Sequence, residues 1–401
     1  MAADIAMSIA EWAPGFCIAA TGFHFASLFI AARRLRVANR ASPLVAAAPP
    51  VTVLRPLCGI DNFAAETLVS TFRIDYPEYE LIFCVARADD PVVPIVRDLI
   101  ELHPQRPARL LIGDDRISDN PKLNNIVKGW NAARHDWIIV ADSNVLISRD
   151  FIRRFLARWE PKSGAICSMP IGARPLNFWA ELECAFLNTL QARVQYVSEA
   201  LGFGFAQGKS ILFRREVIER AGGLRALAID LAEDAATTKI VRAAGLRIHL
   251  VDQPVCQPLG WRTPREVWLR QLRWARLRRA SFPWLFLPEI FLGSAGPTVF
   301  AAVAAAAAGM NVAAAVALML SLWLAAELLL AKRVGWHLSA RMAAALLLRD
   351  MMLPALWLAA VLGGGFNWRG NEMTTKVSTG RGRALRWVRN TAQLVRVGPE
   401  L

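Results

Sequence analysis

Several features that define common protein classes are missing from this sequence. Its six cysteines include no Cys-x-x-Cys pair, and most of them lie in apolar runs. This usage is typical of small core residues in a reducing compartment, and it argues against both a zinc site and a disulfide framework. The cysteines are Cys17, Cys58, Cys84, Cys167, Cys184 and Cys256.

Acidic residues are also scarce relative to basic ones. The chain has 33 acidic and 47 basic residues, for a formal charge of +14. Such an excess favours either nucleic acid or anionic lipid as a partner. However, 55% of the 401 residues are hydrophobic, and the mean hydropathy of +0.31 is high for a soluble protein. Membrane segments explain this value, so we predict lipid and no nucleic acid as the partner.

Basic residues are absent before the first apolar run, residues 12–32, which has about the ~20 residues that a membrane-spanning helix needs. Only Asp4 and Glu11 precede it among charged residues, whereas a signal peptide carries basic residues in front. We therefore predict an uncleaved N-terminal transmembrane anchor. The arginines that follow it place the rest of the chain in the cytoplasm. They are Arg33, Arg34, Arg36 and Arg40.

Residues 50–260 alternate short strand-like runs with helical patterns. This alternation predicts an α/β domain with a mostly parallel, doubly wound sheet. The run Trp137–Val140 is aromatic and β-branched, as expected of a strand buried on both faces. We take it as the central strand of a cytoplasmic catalytic domain.

Polar residues follow two of the predicted strands. Asp142, Ser143 and Asn144 come directly after the central strand, and Asp89 and Asp90 come after the second strand. Ligands of open α/β sheets bind beyond the carboxyl ends of the strands, so these residues are candidates for a substrate or metal site. The alternative is an aspartate that only turns the chain at a strand end.

Two predicted helices start with charged residues. Lys122 follows Asn120 and Pro121 at a helix N-terminus, where an anion would be stabilised. Glu233 and Asp234 open another helix. Acidic residues in a first turn also occur as simple complements of the helix dipole, so the pattern alone leaves both explanations open.

Residues 261–284 form the most unusual segment. Thr263 and Glu266 match a capping box with Pro264 at the first helical position, which predicts a helix start. Seven arginines occur within eighteen residues, interleaved with tryptophan, which is typical of a helix at an anionic membrane surface. Helical spacing places three residues on one face, namely Arg270, Arg273 and Trp274.

Residues 290–363 are predicted to form a C-terminal transmembrane region. Two apolar runs, 290–308 and 312–331, are joined by a short turn and make a hairpin. The last run, 342–363, is interrupted by Arg349, Asp350 and Pro354, so both a full span and a re-entrant helix pair remain open. A basic tail, residues 364–401, follows, and its side of the membrane stays undecided.

The ordered motifs resemble one family. Ceramide glucosyltransferases, which include the animal enzyme and relatives in sphingolipid-making bacteria, have three separated aspartates followed by (Q/R)xxRW. Here that pattern falls on Asp90, Asp142, Asp234 and Arg270–Trp274. The similarity extends to LRPLCGID at 54–61, DYPEYE at 75–80, NPKLNN at 120–125 and AGGL at 221–224, and it spans about residues 51–279.

The resemblance implies a GT-A nucleotide-sugar fold and roles for the aspartates. Asp90 is expected to hold the uridine of a UDP-sugar donor, and Asp142 the donor diphosphate through Mg²⁺ or Mn²⁺. Asp234 is expected to be the general base of an inverting transfer. Many glycosyltransferases carry a second aspartate where Asn144 stands. Either the ion has fewer protein ligands here or Asn144 contacts the donor.

The resemblance also implies donor contacts outside the aspartates. Arg273 is expected to face the diphosphate and Trp274 to lie near the acceptor sugar site, with plain core packing as the alternative for Trp274. Arg270 is expected to serve as a second cation or a lid contact. Lys122 adds positive charge on the donor side.

These expectations define the predicted function. The chain would be a bacterial inner-membrane enzyme that transfers a sugar, with glucose as first choice, from a UDP-sugar to the primary hydroxyl of ceramide. A hopanoid-polyol glycosyltransferase of the same fold is the close alternative. A processive polysaccharide synthase shares the motifs but resembles larger proteins with more spans. A non-catalytic lipid-binding membrane scaffold is the alternative from a different class.

Overall fold

The computed structural model describes residues 2–35, 48–368 and 371–374. The strands in these ranges are β1 Val51–Leu57, β2 Tyr79–Val85, β3 Ala108–Ile112, β4 Trp137–Ala141, β5 Ser163–Cys167, β6 Pro170–Pro175, β7 Ser210–Arg214, β8 Arg247–Leu250, β9 Val255–Gly260, β10 Gly365–Trp368 and β11 Asn371–Thr374.

The α-helices of the described residues are α1 Ala2–Arg34, α2 Ala64–Phe72, α3 Val92–Leu102, α4 Pro121–Ala132, α5 Phe151–Leu156, α6 Phe178–Ala185, α7 Arg193–Ala200, α8 Arg215–Arg220, α9 Glu233–Ala243, α10 Pro264–Ser281, α11 Pro283–Phe286, α12 Ala295–Ala307, α13 Val312–Val334 and α14 Met342–Leu362. A π-helical segment, Phe186–Ala192, joins α6 to α7, and 3-10 turns occupy Leu224–Ile229 and Leu287–Phe291.

The described residues form two compact units. The sheet unit contains residues 48–171 and 198–258 together with the hairpin of β10 and β11. The helical unit contains α1, residues 172–197 and residues 259–364. Strands β6 and β9 pair with each other, and each carries the chain across a unit boundary.

Within the described residues, the sheet unit is built on a seven-stranded sheet in the order β3-β2-β1-β4-β7-β5-β8. Strand β1 is parallel to β2 and β4, β2 is parallel to β3, and β5 is parallel to β8. Only β7 among these strands runs antiparallel, against both β4 and β5. The predicted α/β class with a mostly parallel sheet is therefore confirmed.

Helices cover both faces of this sheet. Leu68 of α2, Val96 of α3 and Phe155 of α5 pack into one apolar core with the strand residues of one face. On the other face, α4 packs against β1 and β2, and Gly129 makes this close approach possible. A Cβ at position 129 would lie 2.5 Å from the sulfur of Cys84.

Strand direction brings several chain segments to one edge of the sheet. The carboxyl ends of the parallel strands β1, β2 and β4 lie at this edge, and the antiparallel strand β7 begins there. The backbone N–H of Asp142 donates to the carbonyl of Lys209 at 2.9 Å. Since β2 and β4 flank β1, their ends are about 10 Å apart. We call this side of the sheet the carboxyl edge.

In the helical unit, three helices of the described residues are long and apolar enough to cross a membrane, namely Glu11–Arg34, Val312–Val334 and Met342–Leu362. A fourth span results if Pro283–Phe291 and Ala295–Ala307, bent by 46° at their junction, count as one. The last apolar stretch, which the sequence left open, is one continuous helix with Pro354 inside it.

A buried charge network connects α13 and α14 in this unit. The guanidinium of Arg349 lies 2.8 and 3.0 Å from the two carboxylate oxygens of Glu327 and also contacts the carboxylate of Asp350. Arg193 approaches Glu327 at 3.6 Å, and Asp350 accepts from the backbone N–H of Ser294 at 2.8 Å. Two arginines and two carboxylates cancel in charge, which explains how polar residues are tolerated within an apolar helix.

Candidate active site

Asp234 lies at the start of α9 with its carboxylate held by backbone N–H groups. One oxygen accepts from the N–H of Ala235 at 2.8 Å and the other from the N–H of Gly208 at 3.1 Å. Burial raises the pKa of Asp234 to about 7, and the neighbouring charge of Glu233 adds to this effect, while Lys122 opposes it. A carboxylate with a pKa near neutrality suits a group that must accept a proton.

Lys122 joins two carboxylates that come from different elements. Its ammonium lies 2.7 Å from Asp142 and 2.7 Å from Glu233. Burial alone would lower the pKa of Lys122, but these two carboxylates raise it above its ordinary value, so the ammonium stays charged. Asn120, the N-cap of α4, accepts from the backbone N–H of Lys122 and donates to Glu233 at 2.8 Å.

Asp142 and Asn144 share a second lysine beyond β4. The ammonium of Lys209 lies 2.8 Å from a carboxylate oxygen of Asp142 and 3.0 Å from the amide oxygen of Asn144. Burial disfavours the ionised form of Asp142, but Lys122 and Lys209 outweigh it and hold the pKa of this carboxyl below its usual range. Asp142 is therefore a permanent anion.

The contacts of Lys209 allow a test of the predicted metal site. The oxygens of Asp142 and Asn144 converge on one positively charged atom, the nitrogen of this lysine. Two hard oxygen ligands aimed at one point fit a small divalent cation. Among the described residues, no three His, Cys, Asp or Glu side chains lie together as a complete metal site. Further ligands would come from phosphate oxygens and water.

Asp90 stands at the carboxyl edge after β2 and holds a neighbouring loop. Its carboxylate accepts from the N–H of Gly59 at 2.9 and 3.1 Å and from the N–H of Val92 at 2.9 Å. Gly59 has a φ of 68°, a conformation that side-chain-bearing residues rarely adopt. Asp90 thus fixes the loop after β1. Its contact with a donor uridine stays a prediction.

Gly208 lies among the charged groups. A Cβ at this position would be 3.0 Å from a carboxylate oxygen of Glu233, 3.3 Å from one of Asp234 and 3.4 Å from the ammonium of Lys122. The segment before β7 must therefore pass this point without a side chain. Only glycine leaves the surrounding carboxylates and ammonium in their observed positions.

The residues of the RQLRW motif lie on α10, in the helical unit. The predicted helix start is confirmed, because Thr263 and Glu266 form both bonds of a capping box. Arg270 forms an ion pair with the fully buried Glu183 of α6, which also pairs with Arg262 at 3.0 Å.

The other two motif residues occupy the same helix. Trp274 packs against a buried cluster that includes Ala180 and Leu346. Arg273 follows Arg270 by three residues on α10. The structure brings Asp142, Asn144, Lys122 and Asp234 together in the sheet unit, whereas Arg270, Arg273 and Trp274 belong to the helical unit. Their donor contacts stay predictions.

Two arginines further along α10 have a use that the sequence pattern did not predict. Arg276 donates to the carbonyl of Ala359 at 3.3 Å, and Arg279 donates to the carbonyls of Val361 and Gly363 at 3.2 and 3.1 Å. These carbonyls lie at the C-terminal end of α14, where positive charge stabilises a helix. This part of the basic helix thus stabilises the end of an apolar one.

Sequence reasoning missed two residues of the site. Lys209 directly precedes β7, and it reaches Asp142 because β7 is antiparallel, a direction that the hydrophobic pattern does not reveal. Arg55 is fully buried and donates to the backbone carbonyl of Ser143 at 3.0 Å and to Thr71 at 2.8 Å. Burial lowers the pKa of Arg55 to about 10. An arginine inside the apolar strand β1 was the available signal, since a buried charge needs partners.

The fold is the GT-A fold of glycosyltransferases. The structure is similar to that of a mannosyltransferase from Pyrobaculum calidifontis in complex with GDP-Man and Mn²⁺, with a TM-score of 0.50 and 20% sequence identity. The similarity covers 89% of this chain and 98% of the other. The sequence matches the profile of glycosyl transferase family 21 over residues 17–381, and the chain belongs to that family.

Relatives within the family are named ceramide glucosyltransferases. The chain is 28% identical over 268 residues to ceramide glucosyltransferase 1 of Caenorhabditis elegans, which covers 66% of this chain and 57% of the relative. It is 40% identical over 108 residues to the ceramide glucosyltransferase of Komagataella phaffii, covering 26% of this chain and 21% of the relative. The chain thus spans about half or less of the length of these relatives. The predicted resemblance to the ceramide glucosyltransferase family is confirmed.

Proposed function

We propose that this protein transfers a sugar, with glucose as first choice, from a UDP-sugar to the primary hydroxyl of ceramide and inverts the anomeric configuration. The observation that carries the proposal is the buried carboxylate of Asp234, whose pKa is raised to about 7, in one cluster with the permanently ionised Asp142. Two carboxylates, one with a raised pKa and one with a lowered pKa, suit acid–base chemistry beside an anionic leaving group. The names of the family relatives support ceramide as the acceptor.

Asp234 acts as the general base in this proposal. Its ionised carboxylate removes the proton from the acceptor hydroxyl while that oxygen forms a bond to the anomeric carbon. The bond between the anomeric carbon and the donor diphosphate breaks on the opposite face, and the diphosphate leaves with the bonding electrons. The N–H groups of Gly208 and Ala235 keep the carboxylate in place before and after it takes the proton.

In this proposal, positively charged groups stabilise the diphosphate as it leaves. Lys122 and Lys209 place two ammonium groups at the carboxyl edge, where they attract a diphosphate. We further propose that Asp142 holds Mg²⁺ or Mn²⁺ once the ammonium of Lys209 gives up its contact with this carboxylate, and the Mn²⁺ in the similar mannosyltransferase supports this. When bound, such an ion neutralises charge on the departing diphosphate. Asp90 is proposed to contact the uridine.

The motif residues of α10 complete the proposed site. Arg273 is proposed to contact the diphosphate, because a guanidinium forms strong charge-assisted hydrogen bonds with phosphate. Trp274 is proposed to lie near the acceptor sugar site, and Arg270 to act as a second cation or a lid contact. These roles follow from the family pattern.

The apolar helices support a membrane location for the proposed reaction. The basic residues after the first span favour a cytoplasmic position for the sheet unit, where UDP-sugars are available. We propose the bacterial inner membrane as the location. A two-chain lipid in the cytoplasmic leaflet would then present its headgroup hydroxyl to the carboxyl edge.

The test is to incubate the purified protein in vesicles with a panel of UDP-sugars and two acceptors, ceramide and a hopanoid polyol. Mass spectrometry and determination of the anomeric linkage identify the product, and the Asp234→Asn variant serves as the inactive control. A β-glucosylceramide is expected. A hopanoid glycoside instead would establish the alternative acceptor. Binding of lipid with no binding of uridine nucleotide and no product would indicate a scaffold.

A further inference from the structure

The loop between α7 and β7 exposes two large apolar side chains. Leu201 and Phe203 are 60% and 68% exposed, and they are separated by one glycine. Single exposed apolar residues are ordinary on protein surfaces. Here, however, two occur within three residues on a loop that leads directly to the candidate active site. We call residues 201–204 the apolar loop.

The end of α7 holds the apolar loop in a defined shape. The N–H of Phe203 donates to the carbonyl of Ser198 at 2.7 Å, and the N–H of Gly202 donates to that of Glu199 at 2.9 Å. With Gly202 at a φ of 85°, these bonds form a Schellman motif. Ser198, at position C3 of this motif, offers Phe203 no apolar partner. The Phe203 side chain remains 68% exposed.

One face of α9 fixes the rest of the segment. Asp234 accepts from the N–H of Gly208, Thr238 accepts from the N–H of Ala206 at 2.9 Å, and Arg242 donates to the carbonyls of Phe203 and Gly204 at 3.0 Å each. Asp234, Thr238 and Arg242 are spaced four residues apart and so share one helix face. The segment from the apolar loop to the candidate base therefore lies along α9.

Gly204 fixes the loop from a second side. A Cβ at this position would lie 2.2 Å from the backbone carbonyl oxygen of Ile248 in β8, so the loop approaches the sheet as only glycine permits. The apolar loop is thus held by α7, α9 and β8. Its exposed side chains project from a rigid support.

We propose that the apolar loop enters the interface of the membrane and thereby sets the height of Asp234 above the lipid acceptor, an inference that rests on the proposed lipid substrate. The eight residues from Asp234 to Arg242 correspond to about 12 Å along a helix axis. Apolar side chains of interfacial segments enter to a depth of about 5–10 Å. In this proposal α9 stands along the membrane normal, and a loop at this depth would then leave Asp234 within a few ångströms of the headgroup hydroxyls.

Chain connectivity supports the membrane as the partner. Helix α7 begins in the helical unit, which contains the apolar spans, and the sheet unit resumes at Ser198. Phe203 follows Val197, the last residue of this segment of the helical unit, by six residues. The apolar loop is therefore close in sequence to the unit that contains the apolar spans.

A depth measurement tests the proposal without requiring turnover. Phe203→Cys carries an environment-sensitive fluorophore in a chain whose other accessible cysteines, Cys17, Cys58 and Cys256, are replaced by serine. The protein is reconstituted in vesicles of phosphatidylcholine and phosphatidylglycerol with shallow spin-labelled lipids. The matched control is Leu102→Cys, because Leu102 is 71% exposed at the end of α3, a helix that starts at the carboxyl edge and runs away from it.

The label at position 203 is expected to show blue-shifted emission and quenching by the spin-labelled lipids, while the label at position 102 shows neither. Equal exposure of both labels to water would overturn the proposal. Because this measurement involves no sugar transfer, it decides on membrane contact even if the proposed acceptor is wrong.

Kinetics test the consequence for the acceptor. Leu201→Ser with Phe203→Ser is expected to raise the KM for ceramide in vesicles roughly tenfold, since partial burial of two apolar side chains is lost. The KM for the UDP-sugar, and turnover with a short-chain acceptor in solution, should not change. Leu102→Ser is the control. An equal loss with the soluble acceptor would mean that the loop acts inside the site and would refute the membrane role.

Discussion

Asp142 and Asp234 are two aspartates of one site that differ through their neighbours. Asp142 contacts two ammonium groups and remains ionised, whereas Asp234 is buried beside the like charge of Glu233 and titrates near neutrality. The same side chain therefore stays ionised in one place and can exchange a proton near neutral pH in the other.

The pKa of Asp234 leads to a prediction for the pH dependence of transfer. The base must be ionised, so kcat/KM should fall about tenfold per pH unit below about pH 7. Glu233→Gln removes a charge that raises this pKa, and the acidic limb should then move to lower pH. Asp234→Asn should lower turnover by ~10²–10⁴-fold. Initial rates from pH 5 to 9 provide the measurement, and an acidic limb that does not respond to Glu233→Gln would contradict it.

A second prediction concerns the divalent ion. Removal of Mg²⁺ and Mn²⁺ by a chelator should abolish transfer, and Asp142→Ala should weaken UDP binding more than tenfold, because the carboxylate that holds the cation is lost. Titration calorimetry with UDP in the presence and absence of Mn²⁺ separates the two effects. If Asp142→Ala weakens UDP binding equally with and without Mn²⁺, the role of Asp142 is a direct one and the ion is not held there.

At the scale of elements, Glu183 connects α6 to the motif helix α10 through Arg270 and to the segment just before that helix through Arg262. Glu183→Gln should destabilise the protein by about 1.5–3 kcal/mol, the range for a hydrogen bond to a charged group. Arg270→Gln breaks the same pair and should lower the thermal midpoint in detergent about as much as Glu183→Gln does. UDP affinity should be unchanged in Glu183→Gln.

Comparison of these two variants also tests the donor role of Arg270. If Arg270 contacts the donor as the family pattern predicts, Arg270→Gln weakens UDP binding and Glu183→Gln does not. Equal UDP affinity in both variants would mean that Arg270 does not contact the donor and only forms the ion pair with Glu183.

The charge network of α13 and α14 supports a prediction about stability. Arg349→Met leaves the carboxylate of Asp350 buried without its guanidinium partner and should cost about 3–5 kcal/mol. The matched control is Lys332→Met, an exposed charge near the end of α13, which should change stability by less than about 0.5 kcal/mol. Thermal unfolding in detergent micelles measures both. A shift for Arg349→Met no larger than that of the control would show that the network contributes little.

Sequence patterns predicted those parts of the site that depend on strand ends. Asp90 and Asp142 meet at one edge because parallel strands end together, which alternation alone implies. The partners of these residues were not predictable in the same way. Lys209 depends on the direction of β7, and the pair of Glu183 with Arg270 joins residues that are 87 positions apart. Within an apolar helical pattern, Glu183 gives no sign of whether it faces solvent or a buried arginine.

At the scale of the whole molecule, the two units are interleaved along the chain. Strand β7 must lie beside β4 in the sheet, yet residues 172–197 of the helical unit separate them in sequence. A chain shortened to residues 48–258 would retain this insertion without its partners. Leu182, Phe186 and Leu190, which pack against Val267, Phe286 and Leu356, would become exposed.

This arrangement predicts the behaviour of shortened chains. Residues 48–258 should aggregate when expressed without detergent, because buried apolar side chains would meet water. The same segment with residues 172–197 replaced by a flexible glycine–serine linker should give a larger soluble fraction. Size-exclusion chromatography distinguishes the outcomes, and a monodisperse product from residues 48–258 themselves would contradict the prediction.

Interleaving also limits how such a protein can diversify. A gene fusion at a single junction can add or replace a terminal segment, but it cannot exchange the sheet unit, because that unit is encoded in separate blocks on both sides of residues 172–197. A new sugar or acceptor preference would therefore have to arise by substitution within the existing strands and loops. Recombination would transmit the sheet unit and the helical unit of this glycosyltransferase as one inherited block.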